Sequence, residues 1–291
     1  MKITEVLQSG RKIFSFEFFP PKTEEDARRL FDSARELKAL DPDFVSITNS
    51  SSGSMPYRTA ALSGVLKAEL GLETVAHLTC VAHTRAEIAG ICLRLKAMGV
   101  TNILALRGDV ANYEGAPVKS DYKYASQLVA DLKKSGDFSI GGACYPEKHP
   151  EADTFEADIS RLREKVDAGA EYLITQLFFD NDFYFRFLEK TAAAGIKVPI
   201  LPGLMPLTSY KQLENLTHLM KVSVPAAVRA GLERWTGDKE GLFRFSVDYA
   251  SAQARDLLAK GAPGLHLYTL NRSRAAMAIL KNVKGGAGTP A

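Results

Sequence analysis

At 291 residues, the chain is long enough for two small domains or for one large α/β barrel, which often runs to roughly 250 residues as a single unit. Its 46% apolar and 24% charged residues describe a protein with ample core, and a formal charge of +3 excludes a strongly basic nucleic-acid or membrane binder, leaving a modest pull on anionic ligands. Cys80, Cys92 and Cys144 are odd in number and not closely paired, which implies buried small hydrophobes in a reducing compartment rather than a disulfide framework or a zinc site. The five histidines are scattered without ligand spacing, so no metal is expected. Met1-Lys-Ile-Thr-Glu-Val6 lacks the layout of a signal peptide, and no apolar run approaches the ~20 residues of a membrane helix. The expectation is a cytoplasmic protein with no nucleic-acid or membrane partner.

Phe14–Phe19 alternates and stops at Pro20-Pro21, giving a first strand. Thr23 is placed to cap a helix running to about Leu40, with acids in its first turn. Phe44–Thr48 is the second strand; a polar loop, Asn49 to Pro56, leads to a helix near Thr59–Leu70. Thr74–Thr79 is the third strand, and Thr84 caps a helix to Met98 that Gly99 ends. Ile103–Leu106 is the fourth, followed by a loop from Asn112 to Tyr122 and a helix from Tyr124 to Lys134. Ser139–Cys144 is the fifth, with glycines that suggest a close approach by backbone or ligand, and a helix from Glu156 to Ala168 closes at Gly169. Tyr172–Thr175, a helix around Tyr184–Ala194, and Pro199–Leu201 ending at Pro202-Gly203 follow. Helices over Tyr210–Lys221 and Phe243–Lys260 then precede an eighth strand, Gly264–Tyr268, and a last helix, Ser273–Leu280; residues 284–291 are expected to form a flexible tail.

Strand–helix pairs recurring about every 30 residues without an interior linker predict one domain over 1–291, an α/β fold of the (β/α)8 TIM-barrel type with an extra helix before strand eight. A doubly wound sheet is the alternative, but no G-x-G-x-x-G follows the first strand. In a barrel the C-terminal strand ends converge on one mouth, and here they carry Glu17, Thr48, His77, Asp109, Tyr145, Gln176 and Tyr268. Polar residues in one register, where a dry core should be apolar, mark a site. The stretch Thr101–Asp109 adds a cation, a glycine and a carboxylate at a strand end, a set suited to a charged ligand, although on this stretch alone a solvated turn is the simpler reading.

Glu17 shares a face with Ser15 and Phe19 while Phe16 and Phe18 point the other way. A carboxylate among aromatics in a mouth should have a raised pKa and serve as a general acid; paired with Arg107 or another cation it would be lowered instead. Asp158, Arg161 and Lys165 recur on one helical face, which reads either as a solvated surface or as a hold for ribose and pyrophosphate.

Taken together, Phe16-Glu-Phe-Phe-Pro-Pro21, His77-Leu-Thr-Cys80, Ala105-Leu-Arg-Gly-Asp109, Tyr145-Pro-Glu-Lys-His-Pro150, Lys165-Val-Asp-Ala-Gly-Ala170, Ile174-Thr-Gln176 and Tyr268-Thr-Leu-Asn-Arg272 resemble the methylenetetrahydrofolate reductase family, over about Ile13 to Ala278. The resemblance implies a FAD-dependent oxidoreductase. NADH or NADPH reduces the flavin and leaves; the folate then takes the same place and receives the hydride from flavin N5, interconverting 5,10-methylene- and 5-methyl-tetrahydrofolate. It further implies that Glu17 is the acid that helps open the imidazolidine ring, and that Asp109 contacts the pterin and keeps negative charge near the flavin. Gln176, Gln212, Tyr268 and Arg272, with Glu17, match positions that hold the folate. Thr48, His77, Leu106, Arg107, Gly108, Asp109, Ala143, Tyr145, His149, Asp158, Arg161 and Lys165 match flavin-contacting positions. Homo-oligomers are expected on the same ground. The chain departs from the family's pattern at Asn49-Ser-Ser-Ser52, at Leu216 and at Glu164, and it stops after the barrel, so control by adenosylmethionine through a further domain is not expected. Another flavin barrel, such as a proline-dehydrogenase-like enzyme, and a non-catalytic flavin or folate carrier are the alternative functions; nucleotide preference and physiological direction stay open.

Overall fold

The computed structural model describes residues 1–49, 56–109, 120–207 and 209–285. Strands and helices alternate along the chain: β1 (Ile13–Phe18), α2 (Glu24–Lys38), β2 (Phe44–Ile47), α3 (Pro56–Leu70), β3 (Thr74–Thr79), α4 (Arg85–Ala97), β4 (Asn102–Leu106), α5 (Ala125–Ser135), β5 (Ser139–Cys144), α6 (Phe155–Asp167), β6 (Tyr172–Thr175) and α7 (Asn181–Ala193). They follow a short first helix, α1 (Ile3–Gln8). The second half continues with β7 (Ile200–Leu201), β8 (Gly203–Leu204), α8 (Tyr210–Met220), α9 (Ala226–Arg234), α10 (Lys239–Ala259), β9 (Gly264–Tyr268) and α11 (Ser273–Gly285).

Every strand pair is parallel, and the order β7-β6-β5-β4-β3-β2-β1-β9-β8 is that of a ring. The segments β7 and β8 are the two halves of one barrel strand. Pro202 between them has no N–H to give, yet its carbonyl accepts from His266 N at 2.9 Å. Ile200 and Leu201 therefore pair with β6, while Gly203 and Leu204 pair with β9. The strand expected to end at Pro202 instead runs through it, and this closes the (β/α)8 barrel.

Period two sorts the strand residues. Phe16 and Phe18 point outward and pack with Leu30, Ala34 and Leu37 of α2. Ala76, Leu78, Ile103 and Ala105 do the same against Ile88, Ile91 and Leu128. Facing inward are Ile13, Phe44, Val75, Leu104, Tyr172, Ile174 and Leu201. The helix starts are fixed by side-chain caps: Thr23 accepts from Asp26 N, Thr84 forms a capping box with Glu87, and Thr154 accepts from Ala157 N.

Two helices depart from the expected order. Among the inward residues, α1 inserts Ile3 and Val6 into the base of the barrel, where Ile3 N donates to Asn102 Oδ1 at 2.9 Å. It plugs the end opposite the mouth. The excursion before the last strand holds three helices rather than two: α9 is added, and α10 starts at Lys239, capped by Asp238, rather than at Phe243. Gly231 sits inside α9 because the Phe245 ring fills the place of a side chain, a Cβ there standing 2.0 Å from Phe245 Cζ. The excursion packs on the strand ends through Leu213, Leu216, Val228 and Leu232 against Leu177, Phe179, Met205 and Leu207.

Residues 112–119 of the expected loop, Ser50–Ser52 of the departure at Asn49, and residues 286–291 of the expected tail lie outside the described residues. No helix among the described residues is long and apolar enough to cross a membrane. The three cysteines are free. Burial pushes the thiols of Cys80 and Cys92 up to about 12 and about 11, so both are un-ionised at neutral pH.

Candidate active site

The inward residues nearest the C-terminal strand ends build two adjoining clusters. The first surrounds Glu17, the last inward side chain of β1. Its Oε2 lies 3.4 Å from His266 Nε2, 3.4 Å from His77 Nε2 and 3.5 Å from Ser46 Oγ. These neighbours come from β9 and β2, which flank β1, and from β3, one strand further round the ring. His266 is fully buried, with Nδ1 2.8 Å from Ser15 Oγ and its ring stacked over Phe44. Burial lowers the pKa of His77 to about 4, against the opposing pull of Glu17, so this imidazole is neutral at pH 7. Its Nε2, though near Glu17, is not aligned as a hydrogen bond and has no partner. The expected alternative partner, Arg107, is engaged elsewhere, so no arginine neutralises Glu17.

Tyr268 follows His266 on the same face, and the two rings meet edge to face at 5.3 Å. Its hydroxyl donates to Thr175 O at 2.7 Å. Burial, with Glu17 nearby, holds that phenol well above its ordinary range. Gly203 makes room for it: a Cβ there would stand 2.5 Å from Thr175 O and 2.7 Å from the Tyr268 ring.

The second cluster lies on the loops after β4 and β5. Arg107 is held bidentate by Glu151, at 2.7 and 2.6 Å, which keeps the guanidinium firmly charged. Gly108 takes a left-handed φ of +87°, and a Cβ there would stand 2.6 Å from Val81 Cγ1, so the turn that delivers Asp109 needs glycine on both counts. Asp109 is exposed, and its charge reaches both Arg107 and Tyr145. Tyr145 stands edge-on to His149 at 4.6 Å. Asp158 Oδ2 accepts from His149 N at 2.9 Å, and burial raises its carboxyl while lowering the imidazole of His149. Lys165 donates to Ala143 O at 2.6 Å, and burial depresses its ammonium.

The structure thus brings Glu17, His77 and Tyr268 into one cluster, and Arg107, Gly108, Asp109, Tyr145, His149, Asp158, Ala143 and Lys165 into its neighbour. Thr48 and Leu106 are half-buried beside them at the ends of β2 and β4. Gln176 follows β6, its Oε1 accepting from Leu177 N at 2.8 Å. Gln212 sits in the first turn of α8, with Nε2 3.4 Å from Pro206 O. Leu216, one turn further on, is buried in the excursion's own core. The shared helical face of Asp158, Arg161 and Lys165 divides: Lys165 turns in under β5, whereas Arg161 stays exposed, stacked on Tyr124 at 4.4 Å and paired with Glu164 at 2.9 Å. Arg272 is exposed in the turn after β9, at an open groove it shares with Arg28, Asp32 and Glu36 of α2. The groove lies outside the mouth.

His266 and Ser46 are not singled out in the sequence, and Ser15 is named only as sharing the face of Glu17, although the signal is present. Each stands two residues before a strand-end residue that is singled out: Tyr268, Thr48 and Glu17. Among the described residues no group of histidine, cysteine, aspartate or glutamate is arranged to hold a metal.

In fold, the chain resembles an uncharacterised protein from Clostridium thermocellum that binds two copies of 5-methyl-5,6,7,8-tetrahydrofolic acid, with a TM-score of 0.64 and 18% identity, over 97% of this chain and 98% of that one. That likeness concerns the barrel alone. In sequence it is 38% identical to a 5,10-methylenetetrahydrofolate reductase of Pectobacterium carotovorum over 93% of this chain and 89% of that protein. It is 36% identical to a probable methylenetetrahydrofolate reductase (NADH) of Oryza sativa over 97% of this chain, but spans only 50% of the length of that protein. The methylenetetrahydrofolate reductase family model matches residues 2–284, and with that match over nearly the whole length the chain belongs to the methylenetetrahydrofolate reductase family.

Proposed function

We propose that this chain is a FAD-dependent enzyme that interconverts 5,10-methylenetetrahydrofolate and 5-methyltetrahydrofolate, with NADH or NADPH as the electron partner in a separate half-reaction at the same place. The observation that carries the reading is Glu17: a carboxyl at the mouth, flanked by two imidazoles and a hydroxyl, with no arginine upon it. Such a group can hold a proton and give it to a ring nitrogen of the folate, opening the imidazolidine ring.

The residues present fit a flavin dinucleotide. His77 Nε2 is a buried polar atom without a partner, a vacancy in bonding that a polar edge would fill. The second cluster sets cations, an imidazole and an aromatic ring around a turn that only glycine can make, a donor set suited to a diphosphate and a planar ring. Arg107 and Arg161 are each paired with an exposed glutamate. The Arg161 pair is exposed and weakly held, so an anionic ligand can displace Glu164, whereas the bidentate Glu151 fixes the Arg107 guanidinium in place. FAD, when bound, supplies the reversible two-electron chemistry that links nicotinamide to folate. Thr48, His77, Leu106 and Ala143 would line its place, while Arg107, His149, Asp158, Arg161 and Lys165 would grip its polar parts. Asp109 would keep negative charge near it. Gln176, Gln212 and Tyr268 would orient the folate, and Arg272 would meet the part that extends past β9. A cytoplasmic homo-oligomer belongs to the same reading.

The deciding experiment is an anaerobic absorbance titration of the purified protein. NADH and NADPH are added in turn to bleach the flavin, then methylenetetrahydrofolate to restore its colour. Bleaching and recovery are the expected result. A flavin that bleaches but does not recover would leave a flavin protein without the folate activity, and a protein that takes up no flavin would overturn the reading altogether.

A further inference from the structure

Glu17 presents one oxygen, Oε2, to three neighbours on three other strands. His266 Nε2 and His77 Nε2 are each 3.4 Å away, and Ser46 Oγ is 3.5 Å away. Oε1 makes none of these contacts. Of the three neighbours, His266 is the one anchored on its far side. Ser15 Oγ lies 2.8 Å from Nδ1, a full-strength distance for a hydroxyl, and 3.4 Å from Leu265 O, beyond that range. A ring that accepts the Ser15 hydroxyl at Nδ1 carries a proton on Nε2 and directs it toward Glu17. The ring cannot turn away, being fully buried between Phe44 at 6.0 Å and Tyr268 at 5.3 Å. Ser46, 3.4 Å from the same Nε2, completes a closed set of polar partners.

We propose that His266, its tautomer set by Ser15, is a positioning residue that clamps Glu17 Oε2 from within the barrel and so assigns the transferable proton to Oε1. An oxygen ringed by donors is an accepting oxygen, whether the carboxyl is protonated or ionised. The clamp therefore fits Glu17 before and after it gives up a proton, and the carboxyl does not need to rotate between the two. His77 plays a different part: its Nε2 is near but misaligned and stays available to a ligand. The inference rests on Glu17 being the acid of the proposed reaction.

Two variants and one spectrum test it. His266→Gln keeps an N–H donor near Oε2; His266→Met fills similar space without one. Losing a single hydrogen bond to a carboxyl group should slow the folate half-reaction of His266→Met about 10- to 100-fold, with recovery of most of that loss in His266→Gln. The nicotinamide half-reaction should stay within about threefold of the parent in both, since it needs no proton from Glu17. Equal folate rates in the two variants, or equal losses in both half-reactions, would overturn the clamp. The nitrogen NMR spectrum of histidine-labelled parent protein reads the tautomer without turnover. It should show Nε2 of His266 protonated and Nδ1 bare, and Ser15→Ala should mix the two forms. A parent spectrum with the proton on Nδ1 would overturn the proposal even if His266→Met does not fold. Should the parent protein fail to turn over folate at all, the functional reading falls, while the tautomer still decides the clamp.

Discussion

His77 offers a measure of what it costs the fold to hold this site. Buried two residues before the end of β3, its pKa falls from 6.5 to about 4, chiefly through loss of hydration, with Glu17 opposing and His266 adding to the shift. An unfolded chain takes up the proton near pH 6.5 and the folded chain only near pH 4. Between these values the unfolded state binds more protons, so His77 makes the fold less stable as pH falls. At about 1.4 kcal/mol per pH unit the whole effect is on the order of 3 kcal/mol, of which about 2 kcal/mol is lost between pH 7 and pH 5. His77→Gln removes the titration. Urea unfolding of both proteins at pH 7 and pH 5 gives the difference directly. The variant starts less stable, because the ring's packing is lost, but between the two pH values it should lose about 2 kcal/mol less than the parent. Equal losses would mean that the folded imidazole titrates normally, and would refute the claim that burial keeps it neutral.

Glu17→Gln should leave the flavin bound and its reduction by nicotinamide largely intact while abolishing folate turnover; stopped-flow traces of the two half-reactions decide, and equal loss in both would count against a dedicated acid. Asp109→Asn removes a negative charge from the mouth and should make the flavin easier to reduce, so a potential that is unchanged or lower would sink the role given to Asp109. Gly203→Ala places a Cβ 2.5 Å from Thr175 O and 2.7 Å from the Tyr268 ring, and should cost about 1–3 kcal/mol and weaken folate binding; an unaltered urea midpoint would show that Tyr268 yields freely.

The barrel was legible because its signals are local. Alternation in β1, the continuous apolar run of β4 and the turn residues between elements mark β1 to β6 within a residue or so, and threonine caps at Thr23 and Thr84 announce their helices. The short α1 left no periodic trace, with only Ile3 and Val6 buried. It forms because the open base of the barrel offers those two side chains a place to go, a tertiary cause that a six-residue window does not contain. Helix α9 was hidden by Pro225, Gly231 and Gly237, which look like breakers until Phe245 is seen to occupy the space above Gly231. In the site, reading only the last residue of each strand found Glu17 and Tyr268 but passed over the layer beneath them, where Ser15, Ser46 and His266 stand. The partners of the two arginines were illegible for opposite reasons. Glu151 lies 44 residues from Arg107 and meets it only through the fold, whereas Glu164 lies one helical turn from Arg161 and was read as a departure rather than as a partner.

The two clusters differ in what supports them, and the difference matches the demands on each. Glu17, Ser46, His77 and His266 all stand on strands whose backbones are laddered to one another, in the registers Glu17 with Ser46 and Glu17 with Tyr268. A proton donor must be held to within a fraction of an ångström, and ladder hydrogen bonds on both sides of β1 supply that stiffness. Arg107, Asp109 and His149 stand on loops and Arg161 on an exposed helical face, and the two arginines are held by ion pairs with exposed glutamates. In the proposed scheme, two half-reactions at one place require each substrate to leave before the next arrives. The groups that hold the flavin can keep their grip throughout, and the acid need not move at all. In the reading proposed above, a rigid acid set in the sheet serves the folate step while the cations set around it hold the flavin, so changes on the loops should weaken flavin binding and changes on the strands should slow the folate half-reaction.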